Sequence, residues 1–229
     1  MSSCCLFIDI ETIPSQSESV KELIKSNLRP PGNLSKPESI EKWFKDNAET
    51  AAHEQWLKTA LNGAMGEIVC ASYAFGEDAV RSVYRESLDM PESELLSDLF
   101  RDMEDYAGGP LPPVKLVGHN VINFDARFLY QRSVIHSLPP AFNIPTDTRY
   151  NNDRIFDTML AWAGWGNYAK LSDICAVLGI ECKQNGIDGS KVWEYVQSGK
   201  IKEVADYCND DVESVRAVYR RLTFSEGGL

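Results

Sequence analysis

A short apolar run near the N-terminus, Leu6-Phe-Ile-Asp-Ile-Glu-Thr12, is broken twice by carboxylates, at Asp9 and Glu11. Leu6, Phe7, Ile8 and Ile10 mark it as a buried strand, and residues two apart on a strand point to the same face. A chain built this way must hold two like charges side by side at the edge of its own core, where they repel each other and lose hydration. Something positive is expected between them, and a hard divalent cation is the usual solution.

Two further segments present carboxylates in the same manner. Val114 to Val117 reads as a strand, and the turn Gly118-His-Asn-Val-Ile-Asn-Phe-Asp125 delivers Asp125 to the start of a helix running through Phe128, Leu129 and Arg132. An acid there suits the positive end of the helix dipole. From Ile201 to Leu222 the residues Ile201, Val204, Ala205, Val212, Val215, Val218, Tyr219 and Leu222 recur at helical spacing without an interrupting Gly or Pro. Tyr207 and Asp211 are then i and i+4 neighbours on one helix face. Asp210 lies about 60° from Tyr207 on the other side and Asp211 about 40° away, so angle alone separates the two acids only weakly.

Each residue has a plainer reading when taken alone. Asp9 and Glu11 could be a solvated strand end, Asp125 a helix cap, and Tyr207 a core aromatic with its hydroxyl bonded. Together those readings need several coincidences. His119 reads as a turn residue bonded to backbone rather than as a ligand.

The Asp-x-Glu strand, the His-Asn-x-x-x-Phe-Asp turn and the Tyr-x-x-x-Asp helix resemble, in order, the three exonuclease motifs of the DEDD superfamily in its tyrosine subclass. The similarity is greatest to the proofreading 3′-5′ exonuclease domain of family B DNA polymerases, here expected to stand alone. The motifs span Asp9 to Asp211, nearly the whole chain. The resemblance implies metal-dependent hydrolysis at the 3′ end of single-stranded DNA or RNA, with DNA favoured and 5′-nucleoside monophosphates released. It implies two Mg²⁺ or Mn²⁺ ions, one on Asp9, Glu11 and Asp211, the other on Asp9 and, through water, Asp125. The ligand that follows Tyr by four in the family is Asp211. Tyr207 would orient the attacking water, since a phenol with a pKa near 10 is a poor base at neutral pH. Asn120 and Phe124 are expected beside the substrate.

The rest of the pattern fits an α/β, ribonuclease H-like fold with a mixed central sheet of about five strands flanked by helices. Met65–Phe75 and Ala79–Arg85 read as strands, Pro91 starts a helix that ends before Gly108, Ile155–Asp157 is a fifth strand, and Leu171–Leu178 a short helix. Residues 1–229 are expected to form a single domain with a helical insertion at about 15–64, helical from Ser39, with Trp43, Phe44, Trp56, Leu57 and Leu61 as its apolar positions. Because the insertion leaves the first strand just after Glu11, it could form a flap over the site, with Lys42, Lys45 or Lys58 meeting phosphate, or a pad packed away from it.

Composition narrows the partners. With 34 acidic and 23 basic residues the net charge is −11, awkward for a protein that grips phosphate. The conflict eases if bound cations neutralise the site and only a few nucleotides are held, with stacking from Trp162-Ala-Gly-Trp165-Gly-Asn-Tyr168 adding grip, although core packing is the commoner fate of such residues. No apolar run reaches membrane-spanning length and no secretory pattern opens the chain, so a cytoplasmic protein without a membrane partner is expected. Six cysteines without a Cys-x-x-Cys pair, beside only three histidines, read as reduced thiols rather than a zinc site. Two other functions compete: a catalytically silent nucleic-acid-binding module, which would have no need of mutually repelling carboxylates, and a metal-dependent phosphatase acting on a small nucleotide.

Overall fold

The structure, a computed structural model, describes residues 4–182 and 187–225. Strand β1 (Cys4–Ile13) leads into helices α1 (Glu18–Asn27) and α2 (Pro37–Leu57) and a 3-10 turn at Lys58–Leu61. Strands β2 (Glu67–Phe75) and β3 (Arg81–Tyr84) precede α3 (Glu92–Ala107), β4 (Val114–Gly118), α4 (Asp125–Ile135) and β5 (Ile155–Asp157). Helices α5 (Thr158–Ala163), α6 (Leu171–Leu178), α7 (Val192–Gln197) and α8 (Ile201–Leu222) complete the order.

The five strands form one sheet in the order β3-β2-β1-β4-β5. β1 runs antiparallel to β2 and parallel to β4, while β2–β3 is antiparallel and β4–β5 parallel. The result is the expected mixed sheet between helices. Alternation along β1 sorts its side chains. Leu6, Ile8 and Ile10 enter the core shared with Leu95, Leu96 and Leu99 of α3 and Phe128 and Leu129 of α4. Phe7 enters the opposite core with Val212 and Val215 of α8. The two-residue period therefore sends Asp9 and Glu11 to the α8 face.

Parallel pairing of β1 with β4 ends at Phe7 opposite Val117, whereas pairing with β2 continues to Ile13 opposite Glu67. Beyond Phe7 one edge of β1 is open. That edge lies at the carboxyl ends of the parallel strands β1 and β4, where open α/β sheets commonly place their sites.

Two attachments fix the surroundings of this edge. Buried Glu92, at the start of α3, accepts from Arg132 Nε at 2.9 Å and Nη2 at 2.5 Å and from Ile68 N at 2.7 Å. These bonds tie α4 to α3 and to the beginning of β2. On the insertion, Thr12 Oγ1 donates to Ala60 O at 2.6 Å, Ser15 N donates to Thr59 Oγ1 at 2.9 Å, and Trp56 Nε1 donates to Ser15 O at 2.7 Å. Its C-terminal end is thus fastened to the backbone just beyond Glu11.

The insertion differs from the sequence reading in two ways. An additional helix, α1, precedes α2 and packs against it. Phe44, Leu57 and Leu61, expected as apolar contacts, are exposed, and Ala52 is the buried residue of α2. The aromatic spacing marked a helix correctly, but much of its surface is solvated. Lys42, Lys45 and Lys58 are exposed as well. No helix among the described residues is long and apolar enough to cross a membrane, and all six cysteines are free.

Candidate metal centre

Asp9 and Glu11 from β1 meet Asp211 from α8, with one carboxylate oxygen of each lying within 4.8 Å of the others. All three residues are half-buried, and no ion pair among the described residues engages them. Asp9 is pushed well above the usual carboxylate range by burial, then by Asp125, Asp211 and Glu11. Glu11 is pushed up in the same way, by burial and then by Asp211 and Asp125. Asp211 rises to about 6 through burial, against the opposing hydrogen bond of the Tyr207 phenol. Asp210 is not one of the three converging acids.

Three oxygen donors this close, each resisting its own charge, fit a small oxygen-preferring cation. A divalent ion would supply the missing positive charge and displace the protons that the carboxylates otherwise retain.

Asp125 is placed differently. It is buried, and its Oδ1 accepts a hydrogen bond from Ile10 N at 3.1 Å. Ile10 lies on the part of β1 that β4 no longer accompanies, so Asp125 takes the place of a strand partner. Its carboxyl is pushed up to about 7, chiefly by burial, while backbone N–H bonds pull it down. It acts on Asp9 and Glu11 through its field but is not one of the three mutually close donors.

Tyr207 sits half-buried one helical turn before Asp211 and hydrogen-bonds to its carboxylate. Burial first, then Asp211 and Glu11, push the phenol far above its ordinary value, so it stays protonated. Cys208 lies beneath. Its thiol donates to Asp9 Oδ2 at 3.1 Å and to Asp9 O at 3.3 Å, and burial beside Cys70 keeps that thiol protonated.

The turn that carries Asp125 is tightly specified. At Gly118 a Cβ would lie 2.7 Å from the Val121 Cβ, closer than side chains pack, and Asn120 adopts φ +59°. Asp157 braces the turn from below. Its Oδ1 accepts from Asn120 N at 3.0 Å and its Oδ2 from Ile122 N at 3.2 Å, while Met159 N and Leu160 N also donate to Oδ1 as α5 begins. His119 places Nε2 2.9 Å from Ala169 O and Nδ1 3.0 Å from Thr158 Oγ1. Burial lowers its pKa, so the neutral ring donates from Nε2 to the Ala169 carbonyl. It is a turn residue. Phe124 is half-buried with its ring 5.6 Å from that of Phe128, and Asn120 Oδ1 accepts from Asn123 Nδ2 at 3.3 Å.

A protein family described as "Predicted 3'-5' exonuclease related to the exonuclease domain of PolB" matches residues 54–229. The chain belongs to this family. Its matched segment contains Asp125, Tyr207 and Asp211 but not Asp9 or Glu11, whose place in the site rests on the geometry. Among solved structures, the family B DNA polymerase of the hyperthermophilic archaeon Pyrobaculum calidifontis is similar, with a TM-score of 0.54 at 12% identity. The alignment covers 96% of this chain and 24% of the polymerase, so the chain spans about a quarter of that relative's length. The likeness is one of fold, the ribonuclease H-like arrangement of the polymerase exonuclease. Curated protein sequences give no match.

Two residues near the acids escape the sequence motifs. Asp157 is signalled by its position, an Asp directly before an apolar stretch of helical character, which is the mark of an N-cap. Cys208 carries no such signal, because its partner Asp9 is 199 positions away. The aromatic loop also departs from the commoner outcome of core packing, with Trp162, Trp165 and Tyr168 all exposed.

Proposed function

We propose that the chain is a DEDD-type exonuclease of the tyrosine subclass that removes nucleotides from the 3′ end of single-stranded nucleic acid, DNA in preference to RNA. It would work as one domain, residues 1–229, with the helical insertion at its side. The observation that carries this reading is the convergence of Asp9, Glu11 and Asp211 within 4.8 Å, in a family described as predicted 3′-5′ exonucleases.

Asp9, Glu11 and Asp211 would hold a Mg²⁺ or Mn²⁺ ion, and Asp9 with Asp125 would serve a second. When bound, such ions lower the pKa of water and neutralise the charge that gathers on a phosphodiester as it is cleaved. The remaining work falls to the chain. Tyr207, which stays protonated one turn before Asp211, would orient the attacking water with its hydroxyl. Asp125 keeps the open edge of β1 in place through Ile10, and Cys208 holds the rotamer of Asp9 from below. Asn120 and Phe124, on the turn that ends at Asp125, would flank the terminal nucleotide.

The test is the fate of a single strand labelled at either end. A 5′-labelled strand should give a ladder of shortened products, and a 3′-labelled one should release labelled mononucleotide at once, with 5′-monophosphates recovered by chromatography. An uncut strand alongside binding would indicate a silent binding module, and hydrolysis confined to free nucleotides would indicate a phosphatase.

A further inference from the structure

A cavity of about 450 Å³ opens between the start of α4, the segment around Thr148 and the turn Gly164–Asn167. Arg127, Arg149, Trp165, Asn123 and Asn167 line it, and none of its lining residues is acidic. In a chain of net charge −11, two arginines in a lining without a carboxylate make a locally positive site. Seven arginines (81, 85, 101, 132, 154, 216 and 220) are held in ion pairs with carboxylates. Arg29, Arg127 and Arg149 are in none of the described ion pairs, and the last two line this one cavity. Arg127 donates to Thr146 O at 3.2 Å, which anchors the guanidinium without neutralising it.

The third element is aromatic. Trp165 stands between Gly164 at φ +81° and Gly166 at φ +79°, a backbone that side chains rarely adopt, and is 65% exposed. Asn167 closes the turn by donating from Nδ2 to Ala163 O at 3.0 Å. An indole is thus held out of the core by a built turn, at the rim of a cavity with two uncompensated guanidinium groups. Asn123, on the same wall, is two residues before Asp125, a backbone reach of at most about 7 Å.

We propose that this cavity is a nucleotide subsite for the single strand, one to two nucleotides upstream of the scissile bond. Arg127 and Arg149 take the phosphate and Trp165 stacks on the base. The proposal deepens the exonuclease reading and rests on it for the direction of the strand. It also gives so acidic a chain a place to grip a polyanion, because two guanidinium groups meet in a cavity whose lining holds no carboxylate. Stacking against a π-face, with phosphate rather than base edges held by arginine, predicts little sequence preference.

The experiment measures binding of a 5′-fluorescein-labelled twelve-nucleotide single strand to the full-length protein with Ca²⁺ present, after confirming that the strand stays intact. The double variant Arg127→Gln/Arg149→Gln should lose at least tenfold in affinity and flatten the slope of log affinity against log salt by about 1.4, roughly 0.7 for each phosphate charge no longer neutralised. Trp165→Ala should lose about tenfold with the slope unchanged. Arg101→Gln, an exposed arginine on α3, controls for net charge and should bind as wild type. Wild-type affinity in the first two variants would overturn the subsite. If the wild type also cleaves the strand in Mg²⁺, that result leaves the exonuclease reading standing. If the strand binds through these residues but is never cleaved, the subsite stands and the exonuclease reading fails. If the wild type binds no strand, both fall.

Discussion

The carboxylate of Asp125 accepts the backbone N–H of Ile10 at 3.1 Å, joining the turn after β4 to the residue that separates Asp9 from Glu11. Two acidic motifs 115 positions apart are thereby held in one rigid relationship, with Asp125 replacing the strand that β1 lacks beyond Phe7.

That bond separates two substitutions. Asp125→Asn keeps a carbonyl oxygen facing Ile10 N and removes the charge, so the fold should persist while turnover falls by about 100-fold or more. Asp125→Ala also leaves a buried N–H without a partner, at a cost of about 1–3 kcal/mol. Thermal melts of the two variants in chelator should show the alanine form melting distinctly lower and the asparagine form close to wild type.

The pH dependence follows from the raised carboxyl groups. Asp9 and Glu11 lie well above their usual range, Asp211 at about 6 and Asp125 at about 7, so the metal-free folded protein binds more protons than the unfolded chain. This contribution is therefore favourable at low pH. It is lost as pH rises from the unfolded carboxylate range near 4 through the folded values up to about 7. In chelator, the melting temperature should drop between pH 5.5 and 8, and Asp9→Asn should reduce the drop. Added Mn²⁺ should raise it most at pH 8, because bound metal displaces those protons.

Tyr207→Phe removes a hydroxyl and little else. Turnover should slow by about 10–1000-fold while Mn²⁺ affinity stays near wild type, the pattern of a group that positions water. Isothermal titration with Mn²⁺ beside single-turnover kinetics separates the two effects. A collapse of metal binding would instead make the phenol part of the ion's scaffold.

Adjacent acids on α8 give a matched comparison. Asp211 converges with Asp9 and Glu11 and Asp210 does not. Asp211→Asn should weaken Mn²⁺ binding at least tenfold and abolish most turnover, while Asp210→Asn should change both by less than threefold. The reverse order would place the wrong face of α8 toward β1.

The sheet and the acids were legible because their signals are local. Alternation fixes which face Asp9 and Glu11 share, and helical spacing places Tyr207 beside Asp211. The insertion was only partly legible. The spacing of Trp43, Phe44, Trp56 and Leu57 announces a helix but does not say that Phe44 and Leu57 stay in solvent, since burial depends on what packs opposite. Cys208 under Asp9, and the clustering of Arg127 with Arg149 around Trp165, come from contacts between distant segments, and no periodicity encodes them.

The most direct test of the central claim is digestion of a 5′-labelled single strand by the wild type and by Asp9→Ala, each with Mn²⁺ and with chelator. Asp9 contributes to the converging donors and is opposed there by its neighbours, so its removal should leave the fold intact or more stable. The expected result is a ladder of 3′-shortened products from the wild type in Mn²⁺, and an intact strand in the other three reactions, with a folded Asp9→Ala protein by circular dichroism. A ladder from folded Asp9→Ala, or from the wild type in chelator, would contradict the account.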